Sequence, residues 1–291
     1  MLYPIIDIGS NTVKLAVLDE EKYFSSAPVF FKAVPMCLRT RTVDGILPLE
    51  EIALLCDQVE EFVSISSRLT RIAPIAFATA SLRGLKNQAE VLLAIRDRTG
   101  VNVEVLTGES EAYYAFLGAL GNRSNLAGVT VDLGGGSTEI LAFRKTEVLK
   151  SVSLPIGCLT LYERYFDHGK NDIVACREEI RSLLSGAPQL PGSSILLSGG
   201  SAKALLCYKN MLEHRSNVSL SRRQMEKVLW HFDHGTPADH AKVKGILQDR
   251  YRLVPPAAAV FTEILAYYGK EQTIVSRSGV REGRLKAYLT A

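Results

Sequence analysis

The stretch VTVDLGGGSTEILAF, residues 129–143, decides the fold, because it places the acid Asp132 just before three glycines inside a largely apolar run. Two apolar segments flank a turn of small residues, which predicts two antiparallel strands joined as a hairpin. Asp132 ends the first strand, and residues 134–137 form the turn. Glycines permit a positive φ and let a ligand approach the backbone, and successive N–H groups in such a turn can bind an anion.

A second stretch, IIDIGSNTVKLAVL at residues 5–18, has the same design, with Asp7 before a small-residue turn. The two acids are about one domain length apart, which predicts two related halves. We place them at residues 1–122 and 123–291, with the last helix able to pack on the first half. Elsewhere strand patterns alternate with helix patterns, which is typical of an α/β fold.

The composition limits the classes of protein. The chain has 291 residues, of which 47% are hydrophobic and 22% charged, and its formal net charge is +3. A nucleic-acid binder would carry clustered Lys and Arg, so we expect no nucleic-acid partner. The five cysteines form no C-x-x-C pair, which is typical of a reducing compartment. Without a signal peptide or a long apolar run, the sequence predicts a cytoplasmic protein with no membrane partner.

The acids and the glycine turns suggest a phosphate site that uses a metal. Asp7 and Asp132 cannot bind phosphate directly, but they can do so through a divalent cation such as Mg²⁺ or Mn²⁺. A third turn, LSGGSAKAL at residues 197–205, opens a helix whose N-terminus favours anions. Neither a Walker loop nor a Rossmann fingerprint matches, because strand follows the first two turns. The structural alternative is a tight hairpin with an acid that accepts turn hydrogen bonds.

Three charged residues of the first half are further candidates. Arg83, in FATASLRGLKN, lies between a strand and a helix, where its planar fork could bind phosphate or simply be solvated. Glu109 and Glu111 begin the helix of TGESEAYYAF. Because residues two apart on a helix point in different directions, at most one should face a shared site. Alternatively, both stabilise the positive end of the helix.

Six motifs in one order resemble those of the Ppx/GppA family of exopolyphosphatases and guanosine pentaphosphate phosphatases. They are IDIGSNT, FATASLR, TGESEA, VDLGGGSTE, LSGGSAKAL and GVREGRL, between residues 6 and 285. The resemblance implies two actin-like, ribonuclease H-like domains of the sugar kinase, heat-shock ATPase and actin superfamily. It also implies a mixed five-stranded sheet in each domain and a cleft between them.

The resemblance also implies roles for residues. Glu111 would be the general base for the attacking water, Glu139 would assist with the metal or the water, and Asp7 and Asp132 would hold the Mg²⁺ or Mn²⁺. We expect phosphate contacts from the three turns and one arginine, namely Ser10, Asn11, Thr12, Arg83, Gly134, Gly135, Gly136, Ser137, Gly199, Gly200 and Ser201.

The function expected from this resemblance is hydrolysis of the terminal phosphoanhydride of inorganic polyphosphate. Short chains should be preferred, because the sequence ends soon after GVREGRL, and a homodimer is possible. The alternatives are a guanosine pentaphosphate 5′-phosphohydrolase, a kinase of the same superfamily and a non-catalytic nucleotide-binding module. Residues 248–258 depart from the family pattern, because an acid expected there is missing.

Overall fold

The computed structural model describes residues 1–10, 12–24, 27–123, 125–167, 171–214 and 217–290. Two compact units divide the chain: Met1–Tyr114 together with Val280–Ala291, and Ala115–Gly279. The boundary expected after residue 122 follows a helix, whereas the units separate inside that helix. Its later residues pack in the second unit, where the rings of Phe116 and Phe143 lie 5.0 Å apart.

Five strands form the sheet of the first unit. They are β1 (Leu2–Ile8), β2 (Thr12–Asp19), β3 (Phe30–Pro35), β4 (Ile75–Ala78) and β5 (Val103–Val105). Their order in the sheet is β3-β2-β1-β4-β5. β1, β2 and β3 are antiparallel neighbours, while β1, β4 and β5 are parallel. The carboxyl ends of β1 and β4 therefore meet at one edge of the sheet, beside the β1–β2 loop.

Helices cover both faces of this sheet. The first four are α1 (Leu38–Arg41), α2 (Leu49–Ser67), α3 (Gln88–Thr99) and α4 (Gly108–Leu120). The apolar residues of α2 that recur at helical spacing in the sequence are Leu49, Ile52, Leu55, Val59 and Phe62; the last four are buried, and Leu49, the first residue of the helix, is exposed. α3 ends at Gly100, whose φ of 72° lies in the left-handed region that favours glycine.

The second unit repeats the strand order of the first and adds a strand. Its strands are β6 (Ala127–Leu133), β7 (Thr138–Arg144), β8 (Glu147–Leu154), β9 (Ser194–Ser198), β10 (Ser219–Ser221) and β11 (Gln272–Val275). The order β8-β7-β6-β9-β11 matches that of the first sheet, and β10 follows at the edge. The expectation of five strands is wrong for this sheet, because β10 pairs antiparallel with β11.

Six helices and a 3₁₀ turn build the core of the second unit. They are α5 (Cys158–Tyr165), α6 (Ile173–Leu184), α7 (Gly199–Glu213), α8 (Arg222–His234), α9 (Pro237–Leu247), the 3₁₀ helix Gln248–Leu253 and α10 (Val254–Tyr267). α10 is buried along most of its length. The buried carboxylate of Glu263 on α10 binds Arg177 and Arg181 of α6.

The remaining helix, α11 (Val280–Thr290), belongs to the first unit. Leu285 is fully buried against Tyr3, Ile5 and Phe77 of the sheet. Arg284 adds two contacts to the Glu104 carboxylate, at 3.0 and 2.9 Å. In the part of the chain that the structure describes, no helix is long and apolar enough to cross a membrane.

Candidate phosphate and metal site

The two predicted hairpins are confirmed, and they share one geometry. The N–H of Gly9 donates to the Thr12 carbonyl at 3.1 Å, and that of Gly134 donates to the Ser137 carbonyl at 2.9 Å. Each turn therefore leaves two residues in the loop, which fixes the pairing of the strands. As a result, the residue directly opposite the acid is defined in both units.

In the first unit the residue opposite Asp7 is Lys14. Its Nζ lies 3.2 Å from Asp7 Oδ2, and both side chains are partly buried. A Cβ added to Gly9 would lie 3.8 Å from this ammonium, so the positive charge is adjacent to the β1–β2 turn. Sequence reasoning missed Lys14, although it follows Asp7 at the same spacing that separates Glu139 from Asp132.

In the second unit the residue opposite Asp132 is Glu139, so two acids face each other. Burial raises the pKa of Asp132, and the charge of Glu139 raises it further, to about 6, against the opposing effect of a hydrogen bond from Ser198. Ser153 on β8 donates its hydroxyl to Glu139 Oε1 at 2.9 Å. The two carboxylates are thus held in place by serines while they repel each other.

The glycines at 134–136 permit close packing rather than a positive φ. None of them has a φ in the left-handed region. Instead the loop packs tightly on the start of α5: the Gly134 carbonyl accepts the Cys158 N–H at 2.8 Å, and a Cβ on Gly157 would lie 2.3 Å from the Gly135 carbonyl carbon. Within the described chain, the N–H groups of Gly135 and Gly136 donate to no other group, so they can donate to an anion.

The third turn, at the start of α7, does require a positive φ. Gly199 has φ +87°, and a Cβ there would lie 2.3 Å from Asp132 Oδ1, so only glycine fits beside that carboxylate. Gly200 is exposed in the same first turn, where helix N–H groups lack intrahelical partners. Ser201 is buried, and its hydroxyl hydrogen-bonds Cys158. The group of Ser201 that remains for the predicted contact with phosphate is therefore its backbone N–H.

Glu111 and Arg83 lie together in the first unit. Thr107 caps α4, since its hydroxyl accepts an N–H of the first turn at 3.1 Å. Glu111 Oε2 lies 3.3 Å from Arg83 Nη1, which also donates to the Leu106 carbonyl at 2.9 Å. Glu109 is exposed. The two glutamates therefore differ, as residues two apart on a helix should, and Arg83 is a paired rather than a freely solvated arginine.

The other predicted residues lie on the β1–β2 turn. The Ser10 carbonyl accepts the Arg39 N–H at 3.2 Å, and the Thr12 carbonyl closes the turn. Asn11 lies outside the described residues. Across the ranges given above, no three His, Cys, Asp or Glu residues form a group that could hold a metal. Asp132 and Glu139 lie directly opposite each other as two acids. The remaining ligands of a cation would then be water and phosphate oxygens.

Comparisons with known proteins find similarity along nearly the whole chain. The family model described as the Ppx/GppA phosphatase family matches residues 37–290. Exopolyphosphatase 1 of Mycobacterium tuberculosis is 24% identical over 294 residues, which cover 96% of this chain and 86% of that protein. Guanosine-5′-triphosphate,3′-diphosphate pyrophosphatase of Vibrio cholerae is 25% identical over 303 residues, which cover 97% of this chain and 58% of that protein.

A solved structure extends the likeness to the whole fold. The Aquifex aeolicus PPX-GPPA enzyme superposes with a TM-score of 0.83 at 26% identity, and the match covers 99% of each chain. The repeated strand order and the two hairpins are therefore features of a known fold, in which nearly every residue of this chain has a counterpart.

Proposed function

This chain belongs to the Ppx/GppA phosphatase family, and we propose that it hydrolyses the terminal phosphoanhydride of inorganic polyphosphate to release phosphate. The observation that carries the proposal is the difference in charge between the two hairpins. Lys14 neutralises the acid in the first hairpin, whereas Asp132 and Glu139 leave two acids in the second. The neutral first arrangement does not repel a polyanion, and the two acids of the second suit a divalent cation that accompanies it.

We propose that Asp132 and Glu139 hold Mg²⁺ or Mn²⁺. The sequence predicted Asp7 and Asp132 as the ligands, but Asp7 is ion-paired with Lys14, and Glu139 is the acid opposite Asp132. The pair fits a cation, because the raised pKa of Asp132 reflects burial beside a second acid, and a positive charge there would relieve both effects. A bound cation would supply charge neutralisation to the phosphoryl oxygens.

In the first unit, Glu111 would act as the general base. Its carboxylate accepts a proton from the water whose oxygen attacks the terminal phosphorus, while the bridging P–O bond breaks and the shortened chain leaves. A positioned base contributes about 10²–10⁴-fold to the rate. Arg83 holds Glu111 through the 3.3 Å contact and presents positive charge to the substrate.

In the second unit, backbone groups would bind the phosphate oxygens. The N–H groups of Gly135 and Gly136, together with the first turn of α7, are donors with no competing partner in the chain as described. Such fixed donors stabilise charge that develops during phosphoryl transfer without having to reorganise. Lys14 adds a cation beside the first loop.

A second candidate is removal of the 5′-terminal phosphate of guanosine pentaphosphate. It is favoured by the Vibrio cholerae relative, although the chain spans only 58% of that protein. Both reactions cleave a terminal phosphoanhydride, so one set of catalytic residues would serve either substrate. A cytoplasmic location and a homodimer are further parts of the proposal, to be tested by cell fractionation and by size-exclusion chromatography.

The test is phosphate release from tripolyphosphate, long polyphosphate, guanosine pentaphosphate and ATP, each with Mg²⁺ and with chelator. We expect release from polyphosphate that stops when the chelator is added. The Glu111→Gln protein, purified in the same way, excludes a contaminating phosphatase. Release from guanosine pentaphosphate alone would select the second candidate, and no release from any of the four would contradict both. Preference for short chains is also part of the proposal, and the rates of release from tripolyphosphate and from long polyphosphate test it.

A further inference from the structure

Helix α1 is attached to the loop of the first hairpin. The backbone N–H of Arg39, on α1, donates to the carbonyl of Ser10 in that loop at 3.2 Å. The Arg39 side chain is exposed, and among the described residues it makes no hydrogen bond or ion pair. A positive charge without a partner therefore lies next to a loop expected to contact phosphate.

The segment after α1 contacts a second cation of the same kind, Lys86, which belongs to the turn that follows β4. Gly45, with φ +79°, accepts the Lys86 N–H at 2.8 Å, and a Cβ on Gly45 would touch the Lys86 side chain at 3.6 Å. Asn87 fixes the segment further, because its amide bonds the Leu47 N–H and carbonyl at 3.0 and 2.9 Å. The ammonium of Lys86 is also exposed and unpaired within the ranges that the structure covers.

Two neighbouring arginines differ from these cations. Arg41 is paired with Glu51 at 2.7 Å, and Arg83 is paired with Glu111. Of these four cations, then, Arg39 and Lys86 keep their charge available to a ligand. Both lie at the edge of the sheet where β1 and β4 end, since α1 contacts the β1–β2 loop and Lys86 belongs to the turn that follows β4.

We infer that Arg39 and Lys86 form a short polyanion track, which binds phosphate units beyond the terminal one. The inference rests on the proposed function, because it assumes that the end of a polyphosphate chain lies at the β1–β2 loop. A track of two cations can contact only a few phosphates. Affinity should therefore rise from tripolyphosphate to somewhat longer chains and then level off, so that chains longer than the track gain no further affinity.

The experiment compares chain-length dependence in surface variants. We expect Arg39→Ala and Lys86→Ala each to raise KM for longer chains by about 2- to 5-fold, as exposed ion pairs do. The double variant should lose most of the affinity that longer chains gain over tripolyphosphate, while KM for tripolyphosphate stays within about twofold of the wild-type value. Arg39→Lys should retain the higher affinity for longer chains, because the positive charge remains. Asp44→Asn, which removes an acid from the same turn, should lower KM for longer chains slightly.

Arg71→Ala is the matched control. Arg71 is also exposed, but it precedes β4 and so lies at the opposite end of that strand. An effect of Arg71→Ala equal to that of Arg39→Ala would overturn the track, because any surface cation would then suffice. Equal melting temperatures for all variants would exclude loss of folding as the cause.

A binding measurement separates failure of the inference from failure of the proposed function. Equilibrium binding of long polyphosphate is measured in the Glu111→Gln background, with and without the Arg39→Ala and Lys86→Ala changes. We expect about 5- to 20-fold weaker binding after both changes. If the wild type releases phosphate but the two substitutions leave binding unchanged, the track is rejected and the proposed function stands. No release from polyphosphate would contradict the proposed function, and unchanged binding would again reject the track.

Discussion

Each sheet has a row of four paired residues at the level of its acid, and the residue types in the two rows differ. Each row crosses four neighbouring strands at the level of the acid: Phe77, Asp7, Lys14 and Ala33 in the first sheet, and Ser198, Asp132, Glu139 and Ser153 in the second. The backbone frame is a duplication, whereas the charge opposite the acid has the opposite sign. Equivalent positions in a repeated fold can therefore carry complementary chemistry.

The physical consequence is a difference in what each row needs. An acid opposite a lysine is neutral as a pair and needs no further ligand. Two acids opposite each other are destabilising until a cation or a proton joins them. The proposed function therefore places the metal in the second unit, and the base and the cations in the first, which variants of each unit can test.

The largest expected effect is that of Glu111→Gln, which should lower kcat by about 10²–10⁴-fold because the amide cannot accept the proton of water. Substrate affinity and the Mg²⁺ requirement should hardly change if Glu111 supplies only the base. The control is Glu109→Gln, since Glu109 is exposed in the same helical turn. A near-normal kcat for Glu111→Gln would contradict the proposal that the first unit supplies the base.

The next effect concerns the metal-free stability of Asp132→Asn. The pKa of Asp132 is raised to about 6 from an ordinary value of 3.8, so the native state binds a proton more tightly than the unfolded state. Its stability is therefore greatest below about pH 4 and falls as the pH rises through 6. The ionised carboxylate costs on the order of 3 kcal/mol, which Asp132→Asn should restore at pH 7.5.

Urea unfolding of the chelator-treated protein at pH 4 to 8 measures this effect. The wild type should lose stability across the range from pH 4 to 6, and the variant should lose less. Added Mg²⁺ should stabilise the wild type and leave Asp132→Asn unchanged. A variant that is less stable than the wild type at pH 7.5 without metal would contradict the repulsion in the second row.

A smaller effect should appear in the metal requirement. Glu139→Gln removes one proposed ligand, so the Mg²⁺ concentration for half-maximal activity should rise by about 10- to 100-fold or more, in line with the loss of groups around metal sites. Lys14→Met, at the equivalent position of the first sheet, should leave that concentration unchanged and weaken substrate binding. If both variants changed the Mg²⁺ requirement equally, the two rows would not differ in function.

The smallest effect is expected for Asp7→Asn. Asp7 and Lys14 form a partly exposed ion pair, and pairs of this kind contribute about 0.2–1 kcal/mol. The variant should therefore be slightly less stable than the wild type at pH 7.5, which is opposite in sign to Asp132→Asn. Urea midpoints of the two variants, measured together, give this comparison directly.

Much of the fold could be predicted from the sequence, because local signals agree with the final structure. The two hairpins follow from apolar runs around turns of small residues, and α2 follows from the helical spacing of its apolar residues. Helix geometry predicted that Glu109 and Glu111 differ, and the family resemblance selected Glu111 as the base. Lys14 could also have been found, since a two-residue loop fixes the pairing and places the residue seven after Asp7 opposite it.

Other features depend on contacts between segments far apart in sequence, which no local pattern reveals. Ser153 reaches Glu139 only through the pairing of β7 with β8, which shifts at a bulge between Ala142 and Phe143. The glycines at 134–136 are explained by the packing of α5 on the loop rather than by their own φ. Gly199 is required because the Asp132 carboxylate lies beside it, a contact between β6 and α7.

The position of α11 has a consequence for the order in which the chain can fold during synthesis. Leu285 covers Tyr3, Ile5 and Phe77, but the ribosome makes the whole second unit before it reaches α11. At about 5–20 residues per second, this apolar face of the first sheet stays uncovered by α11 for roughly 10–40 s. Nascent chains halted at Gly279 should therefore bind a hydrophobic dye or a chaperone through β1, and chains that include α11 should not. The second unit, although translated later, can complete its core first.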